Sequence, residues 1–316
     1  MNNEKIIAPD QEISERQISG QQASILEAST KTPEWRDFFD ILAASTSSAL
    51  LLDFDGTLAP FRLDPSKVRP WAGVTSVLDQ IQQTGRTRIA LVSGRPAQSV
   101  AAQLNLAQSP EVWGLHGAER LLPDGSIEFE KLPLRKQLHL KAAHKALEES
   151  GRLDYRLDHG LDHGPNYELD HRPDRLGIRL ETKWNAVAVH WRGLTAGKAA
   201  DAQTAIHNLL KPIAADGDLE MLVFDGGIEL RAGRTKGDSV HLILSEMNPN
   251  APAAYLGDDT TDEFAFRAIN AETPANRGLS VLVRRQWRPT AAHLWIRPPA
   301  GLRAFLSDWL HAVQSS

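Results

Sequence analysis

The amino-acid sequence predicts an α/β protein in which a doubly wound parallel sheet is interrupted by an inserted α+β segment. Short apolar runs alternate with helical patterns between residues 49 and 104, and the same alternation returns after residue 236. Strand followed by helix, repeated, is typical of a parallel sheet with helices on both faces. The stretch from about 135 to 230 differs, because strand-like alternation is mixed there with two helical patterns.

The part of the predicted core that precedes the insert follows a polar stretch. Residues 1–32 lack a clear apolar period, so we expect a disordered tail that ends at a short helix over 32–44. Strands are predicted where apolar residues run without interruption, and helices where they share one face. In chain order these patterns predict a strand at 49–54 (ALLLDF), a helix at 71–83, a strand at 88–94 (RIALVSG) and a helix at 96–104.

The rest of the chain contains the insert and the part of the core that follows it. The insert is predicted to contain a helix at 134–149, alternation over 178–192, a helix at 199–210, and short runs at 219–226 and 227–233. The part of the core after the insert is predicted to contain helices at 237–246, 261–268 and 302–312 and strands at 253–257 and 279–283. The chain would thus have a core made of 33–134 and 231–316 and an inserted domain at 135–230.

Composition limits the class of protein. The 316 residues are 41% hydrophobic and 24% charged, which is typical of a soluble globular protein. The formal net charge of -5 and the lack of a polybasic run argue against nucleic acid or an anionic membrane as the main partner. The sequence has no cysteine, so disulfides, thiol catalysis and cysteine-ligated zinc are excluded. The polar N-terminus does not resemble a signal peptide, and we predict a cytoplasmic monomer.

Two acids follow the first predicted strand, in the stretch ALLLDFDGTLAP. Burying an unpaired carboxylate is costly, so Asp53 and Asp55 require a charge partner or an exposed position. Ser93 and Asp258 also stand at the ends of predicted strands, in the signatures SGR and GDDTTDE. Ligands of open parallel sheets bind beyond the carboxyl ends of the strands. We therefore expect the three signatures to converge at one edge of one sheet.

Clustered carboxylates at such an edge need a cation, and an all-oxygen site suits Mg²⁺. Asp53 would then be both a metal ligand and a nucleophile, because the metal and a lysine neutralise the oxygens of a phosphoryl group. Asp55 would act as general acid and later as the base for water. Ser93 and Lys236, each beside a predicted helix start, would bind the phosphate. These residues predict phosphoryl-transfer chemistry.

The motifs resemble a known superfamily. DFDGT, SGR, TKGD and GDDTTDE occur in the order of the four motifs of the haloacid dehalogenase superfamily, and the match spans nearly all of 49–284. GLHGAE, the ETK and HWR run of 181–192, IELRAG and GDDTTDEFAF resemble the trehalose-6-phosphate phosphatase family more narrowly. The resemblance implies a Rossmann-like core, a mobile cap formed by the insert, Mg²⁺ as cofactor and a sugar phosphate as substrate.

The resemblance also implies roles at the motif positions. It implies that Asp53 is the nucleophile, Asp55 the acid and base, and Lys236 a catalytic phosphate binder. The predicted groups are Ser93, Gly94 and Lys236 at the phosphate, Asp53, Asp55 and Asp258 at the metal, Asp259 and Asp262 behind the metal ligands, and Glu181, Lys183, Glu229 and His116 at the sugar. For His116 a structural role is the alternative, and for the charged cap residues the alternative is a solvated sheet face.

The chain departs from the family pattern at three places. Leu115 precedes HGAE, and Trp191 stands in HWR where the family commonly has tyrosine; neither change touches the phosphate chemistry. The segment 153–174, LDYRLDHGLDHGPNYELDHRPD, looks like an extra insertion. Its aspartates and histidines would suit a metal, but glycines interrupt any helix that would align them. We interpret the segment as a surface loop.

Three other functions share part of this sequence pattern. A phosphomutase would share the core motifs, but its cap usually follows the first motif directly, and the stretch 58–71 is too short for a cap. A non-catalytic phosphosugar-binding protein would be expected to lack Asp53, Asp55 or Lys236, and all three are present. A phosphatase of a related glycosyl or disaccharide phosphate is the strongest alternative, because only the cap decides the sugar.

Overall fold

The computed structural model describes residues 32–62, 67–150, 178–191, 193–224, 226–274 and 276–314. Within them the chain forms eight α-helices and twelve strands. The helices are α1 (Pro33–Ala44), α2 (Val74–Gln83), α3 (Ala97–Leu104), α4 (Leu134–Glu149), α5 (Ala196–Gly217), α6 (Lys236–Ser245), α7 (Asp262–Glu272) and α8 (Ala300–Gln314).

The strands form two separate sheets. The first strands are β1 (Ser48–Leu52), β2 (Thr87–Val92), β3 (Glu111–Gly114), β4 (Glu119–Leu121), β5 (Ile127–Phe129) and β6 (Arg179–Lys183). The remaining strands are β7 (Ala186–His190), β8 (Glu220–Phe224), β9 (Gly227–Arg231), β10 (Ala253–Gly257), β11 (Gly278–Val283) and β12 (Leu294–Ile296). A short 3₁₀ turn at Leu115–Gly117 follows β3.

The large sheet has eight strands in the order β12-β11-β10-β1-β2-β3-β4-β5. The strands from β12 to β3 pair in parallel, whereas β4 and β5 extend the sheet with antiparallel pairing. The predicted α/β fold with a mainly parallel sheet is confirmed. All five residues of the central strand β1 are buried, as expected for a parallel strand with helices on both faces.

Alternate residues of β1 belong to two hydrophobic cores. Leu50 and Leu52 belong to the core that includes Phe38, Leu78 and Phe305, contributed by α1, α2 and α8. Ala49 and Leu51 belong to the core on the opposite face, which includes residues of α6 and α7. Because successive strand residues point to opposite faces, one apolar run supplies both layers.

The second sheet is antiparallel, with the order β6-β7-β9-β8. One of its faces packs against α4 and α5 through a third core that includes Leu147, Val187, Leu210 and Leu230. This sheet and its helices lie in the region predicted as an insert. The predicted domain boundaries stay a prediction.

Several element bounds differ from the sequence prediction. Helix α5 extends from residue 196 to 217 and includes Pro212, although a helix of 199–210 was predicted. Ala214 and Gly217 are buried on this extension, so tertiary packing continues the helix past the proline. Strands β3, β4, β5 and β12 were not predicted, because runs of three or four residues carry little periodicity.

Two predictions concern residues outside the described part of the chain. The segment 153–174 lies there completely, and so does the predicted tail apart from Thr32. Among the described residues, no helix has the length and hydropathy needed to cross a membrane.

Candidate active site

Three neighbouring strands of the large sheet carry the motif residues at their carboxyl ends. Asp53 follows β1, Ser93 follows β2 and Asp258 follows β10, and these strands are adjacent and parallel in the order β10-β1-β2. The amide of Asp53 donates to the carbonyl of Leu256 across the β1–β10 boundary (2.9 Å). The three signatures therefore lie at one edge of one sheet.

Lys236 lies between two carboxylates at this edge. Its Nζ donates to Oδ1 of Asp53 and to Oδ1 of Asp262, and each distance is 2.7 Å. Lys236 is the first residue of α6, whose N-cap Thr235 forms a reciprocal capping box with Asp238. The capping box thus fixes the start of the helix that carries the ammonium group.

Asp262 accepts four hydrogen bonds from the protein. Oδ1 accepts from Lys236 Nζ (2.7 Å) and the Tyr255 hydroxyl (2.6 Å), and Oδ2 accepts from the amides of Asp258 (3.0 Å) and Asp259 (2.9 Å). With both oxygens engaged, Asp262 fixes the loop that carries Asp258. Its predicted place behind the metal ligands stays a prediction.

The charges of this buried group do not balance. Asp53, Asp258 and Asp262 bring three carboxylates, all buried, against the one ammonium of Lys236. Burial raises the pKa of Asp53 to about 7, with Lys236 opposing and Asp262 reinforcing the shift. Burial and the charge of Asp53 raise the pKa of Asp258 well above its usual range. A further cation would let these carboxylates ionise.

The donor set fits a hard divalent cation. Ligand atoms of Asp53, Asp258 and Asp262 lie within 4.8 Å of one another. Oδ1 of Asp258 is buried without a hydrogen-bond partner among the described residues. Gly56, at φ +81°, brings its backbone against the Asp258 carboxylate so closely that a Cβ there would collide with it. A buried carboxylate oxygen that accepts from no donor, inside an all-oxygen cluster, is a suitable ligand for Mg²⁺.

Asp55 lies beside the cluster and is paired differently. Its two oxygens accept from Arg95, Oδ1 from Nη2 at 2.5 Å and Oδ2 from Nε. The Arg95 guanidinium also donates to Gln103 (3.0 Å) and lies 5.6 Å from the centroid of the Phe54 ring. The Asp55 carboxylate is not part of the carboxylate cluster, so its predicted role as a metal ligand stays a prediction.

The SGR residues form a tight loop. The Ser93 hydroxyl accepts from the amide of Arg95 (3.2 Å), and Ser93 is buried. A Cβ at Gly94 would lie 2.8 Å from two atoms of the His116 ring, so only glycine fits there without a shift.

Asp259 contacts its own loop, because its Oδ1 accepts from the amide of Thr260 (2.7 Å).

The second sheet has a charged face, formed by alternate residues of its strands. Strand β6 contributes Glu181 and Lys183, and β9 contributes Glu229 and Arg231. The register places Ala188 of β7 between Glu181 and Glu229, and Ala186 of β7 between Lys183 and Arg231. We call Glu181, Lys183, Ala186, Ala188, Glu229 and Arg231 the charged face.

The predicted sugar-binding residues of this face are ion-paired. Lys183 Nζ donates to Glu229 Oε2 (3.0 Å), and Glu181 Oε2 lies 2.7 Å from His190 Nε2. Burial alone would raise the pKa of Glu229. The Lys183 ammonium and other positive neighbours outweigh this effect and lower the pKa of Glu229 to about 2. Burial likewise opposes the charge of Lys183, and Glu229 and Glu181 raise its pKa. Both groups are therefore charged at neutral pH.

The charged face contacts the large sheet at the turn after β3. Asn185 Nδ2 donates to the carbonyl of Leu115 (3.3 Å), and His116 Nε2 lies 3.7 Å from Glu229 Oε1. Burial lowers the pKa of His116 to about 3, although Glu229 opposes the shift. His116 has a φ of 60°, and its Nδ1 is buried without a partner among the described residues. His116 thus stands between Gly94 and Glu229.

Several residues at the site were not predicted from the sequence. They are Arg95 at Asp55, Tyr255 at Asp262, and Arg284 and Arg288, which donate to the carbonyls of Asp258 (3.3 Å) and Asp259 (2.7 Å). Arg95 is part of the SGR signature, so its position was a usable signal. Tyr255 stands in a buried strand and resembles a core residue. The arginines follow β11 without any motif.

Comparisons with known proteins agree with the motifs. No family model matches the chain. A trehalose-phosphate phosphatase of Mycobacterium avium (strain 104) is 28% identical over 277 residues, which cover 83% of this chain and 62% of that protein. A probable trehalose-phosphate phosphatase of Sinorhizobium fredii is 29% identical over 239 residues, which cover 74% of this chain and 78% of that protein. The chain spans about three fifths of the length of these mycobacterial relatives.

Solved structures show the same fold. The C-terminal domain of Candida albicans trehalose-6-phosphate phosphatase superposes with a TM-score of 0.66 at 17% identity, and 90% of this chain and 98% of that chain are covered. Aspergillus fumigatus trehalose-6-phosphate phosphatase superposes with a TM-score of 0.60 at 19% identity, with coverages of 89% and 97%. The phosphatase BT1666 of Bacteroides thetaiotaomicron, from the haloacid dehalogenase superfamily, has a TM-score of 0.54 at 16% identity, with coverages of 84% and 95%. The predicted resemblance and the predicted fold are confirmed.

Proposed function

We propose that this chain is a Mg²⁺-dependent phosphatase that hydrolyses trehalose 6-phosphate to trehalose and phosphate. The observation that carries the proposal is the buried group at the edge of the large sheet. In it Lys236 bridges Asp53 and Asp262 at 2.7 Å each, beside an Asp258 oxygen that has no hydrogen-bond partner in the described part of the chain. The relatives named trehalose-phosphate phosphatase, which are phosphoric monoester hydrolases, supply the class of substrate.

In the first step, a carboxylate oxygen of Asp53 attacks phosphorus. A bond forms between this oxygen and phosphorus, and the bond from phosphorus to the sugar oxygen breaks. Asp55 donates a proton to the departing oxygen, which leaves as the trehalose hydroxyl. Both oxygens of Asp55 are bound by Arg95 in this structure. Proton transfer therefore requires Arg95 to move to another acceptor, and a substrate oxygen is a suitable one.

In the second step, water attacks the phosphorus of the aspartyl phosphate. Asp55 accepts a proton from this water, the bond between Asp53 and phosphorus breaks, and inorganic phosphate leaves. The carboxylate of Asp53 is thereby restored. The two steps use the same two acids, one as nucleophile and one as acid and then base.

The core would hold the phosphoryl oxygens. Lys236 brings an ammonium group, and the Ser93 hydroxyl and the backbone at Gly94 supply further hydrogen bonds. Asp53 and Asp258 would hold Mg²⁺, with Asp55 as a third predicted ligand, and Asp259 and Asp262 behind them. When bound, the ion supplies positive charge that offsets the charge of the phosphoryl oxygens and the carboxylates.

The charged face would hold the sugar. Glu181, Lys183 and Glu229 share one face of the second sheet, with small alanines between them. All three are ionised, because the Lys183 ammonium lowers the pKa of both glutamates and the glutamates raise the pKa of Lys183 against the effect of burial. Charged groups make strong hydrogen bonds to hydroxyls. His116 joins this set because it lies next to Glu229. The inserted domain, 135–230, would thus act as the cap that selects the sugar.

The two alternative functions differ in which residues they would need. A phosphatase of a related glycosyl or disaccharide phosphate would share the whole core, and only the charged face would distinguish it. A non-catalytic phosphosugar-binding protein would keep the fold without needing the Lys236 bridge. The intact bridge, with Asp55 next to it, favours catalysis. We further propose that the enzyme is a cytoplasmic monomer with a sugar phosphate as its partner.

The test is phosphate release from a panel of sugar phosphates with Mg²⁺ and with excess chelator. We expect turnover of trehalose 6-phosphate that requires Mg²⁺ and that is lost in Asp53→Asn with the fold retained. Faster turnover of another disaccharide phosphate would support the alternative phosphatase. Full activity in chelator or in Asp53→Asn would contradict the mechanism. Binding without turnover would indicate the non-catalytic function.

A further inference from the structure

The segment 93–97, which runs from the end of β2 to the first residue of α3, is attached to the end of β3 and to the turn after it. Three backbone hydrogen bonds of 2.8–2.9 Å connect them, from Ser93 N to Trp113 O, from Leu115 N to Arg95 O and from His116 N to Ser93 O. These bonds fix residues 93 and 95. The start of α3, at residue 97, is fixed in another way.

Helix α3 begins without a local cap. Pro96 is its N-cap residue, and no side chain at that position makes a capping hydrogen bond. Serine, threonine, aspartate and asparagine are preferred at N-caps because they satisfy an orphan amide. Here the carboxylate of Glu119, 22 residues further along the chain, accepts from the amide of Ala97. Glu119 is only 7% exposed, so a buried carboxylate replaces the local cap.

Gly114 makes this long-range contact possible. It pairs with Glu119 across β3 and β4. A Cβ at Gly114 would lie 2.5 Å from the amide nitrogen of Ala97, 2.5 Å from Glu119 Oε1 and 2.8 Å from the carbonyl oxygen of Arg95. Such distances exclude any side chain, so glycine leaves the opening through which the carboxylate reaches α3.

Burying Glu119 works against stability. Burial raises its pKa, and the hydrogen bond from Ala97 only partly opposes this. A serine or aspartate at position 96 could cap α3 at lower cost to stability. The arrangement therefore does more than stabilise a helix, because it fixes residues 93–97 from both ends.

We propose that Glu119 is a positioning residue that holds the segment 93–97 in the conformation in which Ser93 and Gly94 receive the phosphoryl group. The proposal rests on the proposed phosphatase function for the identity of the ligand. Glu119 is proposed neither as a substrate contact nor as a metal ligand. It acts through the amide of Ala97.

The test compares two neutral variants of similar size, Glu119→Gln and Glu119→Met. Glutamine can still accept from Ala97, whereas methionine cannot. We expect Glu119→Met to lower kcat/KM for an aryl phosphate about 10-fold and to weaken inhibition by orthovanadate about 10-fold, as for loss of one hydrogen bond to a buried amide. Glu119→Gln should stay within about 3-fold of wild type. Removal of a buried charge favours both variants, but only Glu119→Met leaves the buried amide of Ala97 without its acceptor, so Tm is measured for both.

Glu111→Gln is the matched control. Glu111 is a buried glutamate at the other end of β3 and pairs with Arg88 (2.8 Å) and Arg120 (2.9 Å). This variant should lower Tm and leave vanadate inhibition unchanged. If Glu119→Met changes vanadate inhibition no more than Glu111→Gln does, Glu119 is only a structural residue and the proposal is overturned.

Hydrogen exchange at Ala97 separates this inference from the proposed function. Its amide is one of the orphan donors of a helix start and should exchange faster in Glu119→Met than in Glu119→Gln. If the wild type hydrolyses no phosphate ester, the proposed function fails, and the exchange result alone shows whether Glu119 fixes the segment. Equal exchange in both variants overturns the inference in either case.

Discussion

At the scale of single residues, the uneven charge of the buried group decides how the site behaves. Three carboxylates share one ammonium, so protons or a cation must make up the difference. Asp262 is satisfied by four protein donors, whereas one oxygen of Asp258 has no partner among the residues that the structure describes. The carboxylates that need a cation are therefore Asp53 and Asp258, the two at strand ends.

The first prediction follows from the pKa of Asp53. Its pKa of about 7 in the metal-free fold lies above its usual value of 3.8, so the folded state binds the extra proton between these values. The stability that this proton supplies is present below pH 3.8 and is lost as pH rises through 7. One such proton gives a slope of up to about 1.4 kcal/mol per pH unit.

The measurement is the free energy of unfolding in urea from pH 4 to 8, in chelator and in Mg²⁺. In chelator, wild type should lose stability relative to Asp53→Asn as pH rises, and Mg²⁺ should restore it above pH 7. Parallel curves for the two proteins would show that Asp53 does not carry this proton.

The second prediction concerns Asp55, whose proposed role is proton transfer. Asp55→Asn should slow turnover of a sugar phosphate by about 10²–10⁴-fold, the usual effect of losing a positioned acid or base. An aryl phosphate, which has a better leaving group, should be less affected in the first step. Steady-state kinetics with both substrates tests this, and an unchanged rate with the sugar phosphate would exclude the role.

At the scale of elements, the turns after the strands determine which atoms meet. The third prediction compares two glycines with positive φ, Gly56 at +81° and Gly73 at +86°. A Cβ at Gly56 would collide with the Asp258 carboxylate, whereas a Cβ at Gly73 would meet nothing within 4 Å. Both alanine variants should lose about 1 kcal/mol or more of stability from backbone strain. Only Gly56→Ala should also lose Mg²⁺ affinity and activity.

Chemical unfolding, Mg²⁺ titration and kinetics of the two variants measure these effects. Gly73→Ala serves as the control for strain alone. Equal activity of the two variants at saturating Mg²⁺, with equal Mg²⁺ affinity, would mean that the contact of Gly56 with Asp258 has no part in the site.

The elements that carry the motifs were predictable because buried parallel strands are continuous apolar runs. Strands β1, β2 and β10 were located within a few residues, and with them the edge where Asp53, Ser93 and Asp258 meet. The short strands β4 and β5 were missed, because three residues do not define a period. They matter, since β4 carries Glu119.

Pairings between distant residues were the part that sequence could not supply. Arg95 reaches Asp55 across 40 positions, and Arg288 reaches the carbonyl of Asp259 across 29 positions. Such contacts depend on strand order and helix position, which local patterns do not encode. Of the two acids in the stretch ALLLDFDGTLAP, Asp53 is paired with Lys236, 183 positions away.

At the scale of the whole molecule, two sheets divide the work proposed here. The large sheet collects the phosphate residues at one edge, and the charged face of the second sheet collects Glu181, Lys183 and Glu229. The two meet at the turn after β3, where His116 lies 3.7 Å from Glu229. Phosphate chemistry and sugar recognition should therefore be separable by mutation.

The most direct measurement is kcat/KM for trehalose 6-phosphate and for an aryl phosphate in Lys183→Ala and Glu229→Gln. Loss of a hydrogen bond from a charged group to the sugar costs about 1.5–3 kcal/mol, so trehalose 6-phosphate turnover should fall about 10- to 100-fold. The aryl phosphate should barely change, and Lys145→Ala, at an exposed lysine of α4, should change neither. Equal losses with both substrates, or no loss with either, would contradict the division between the sheets and the assignment of the sugar to the charged face.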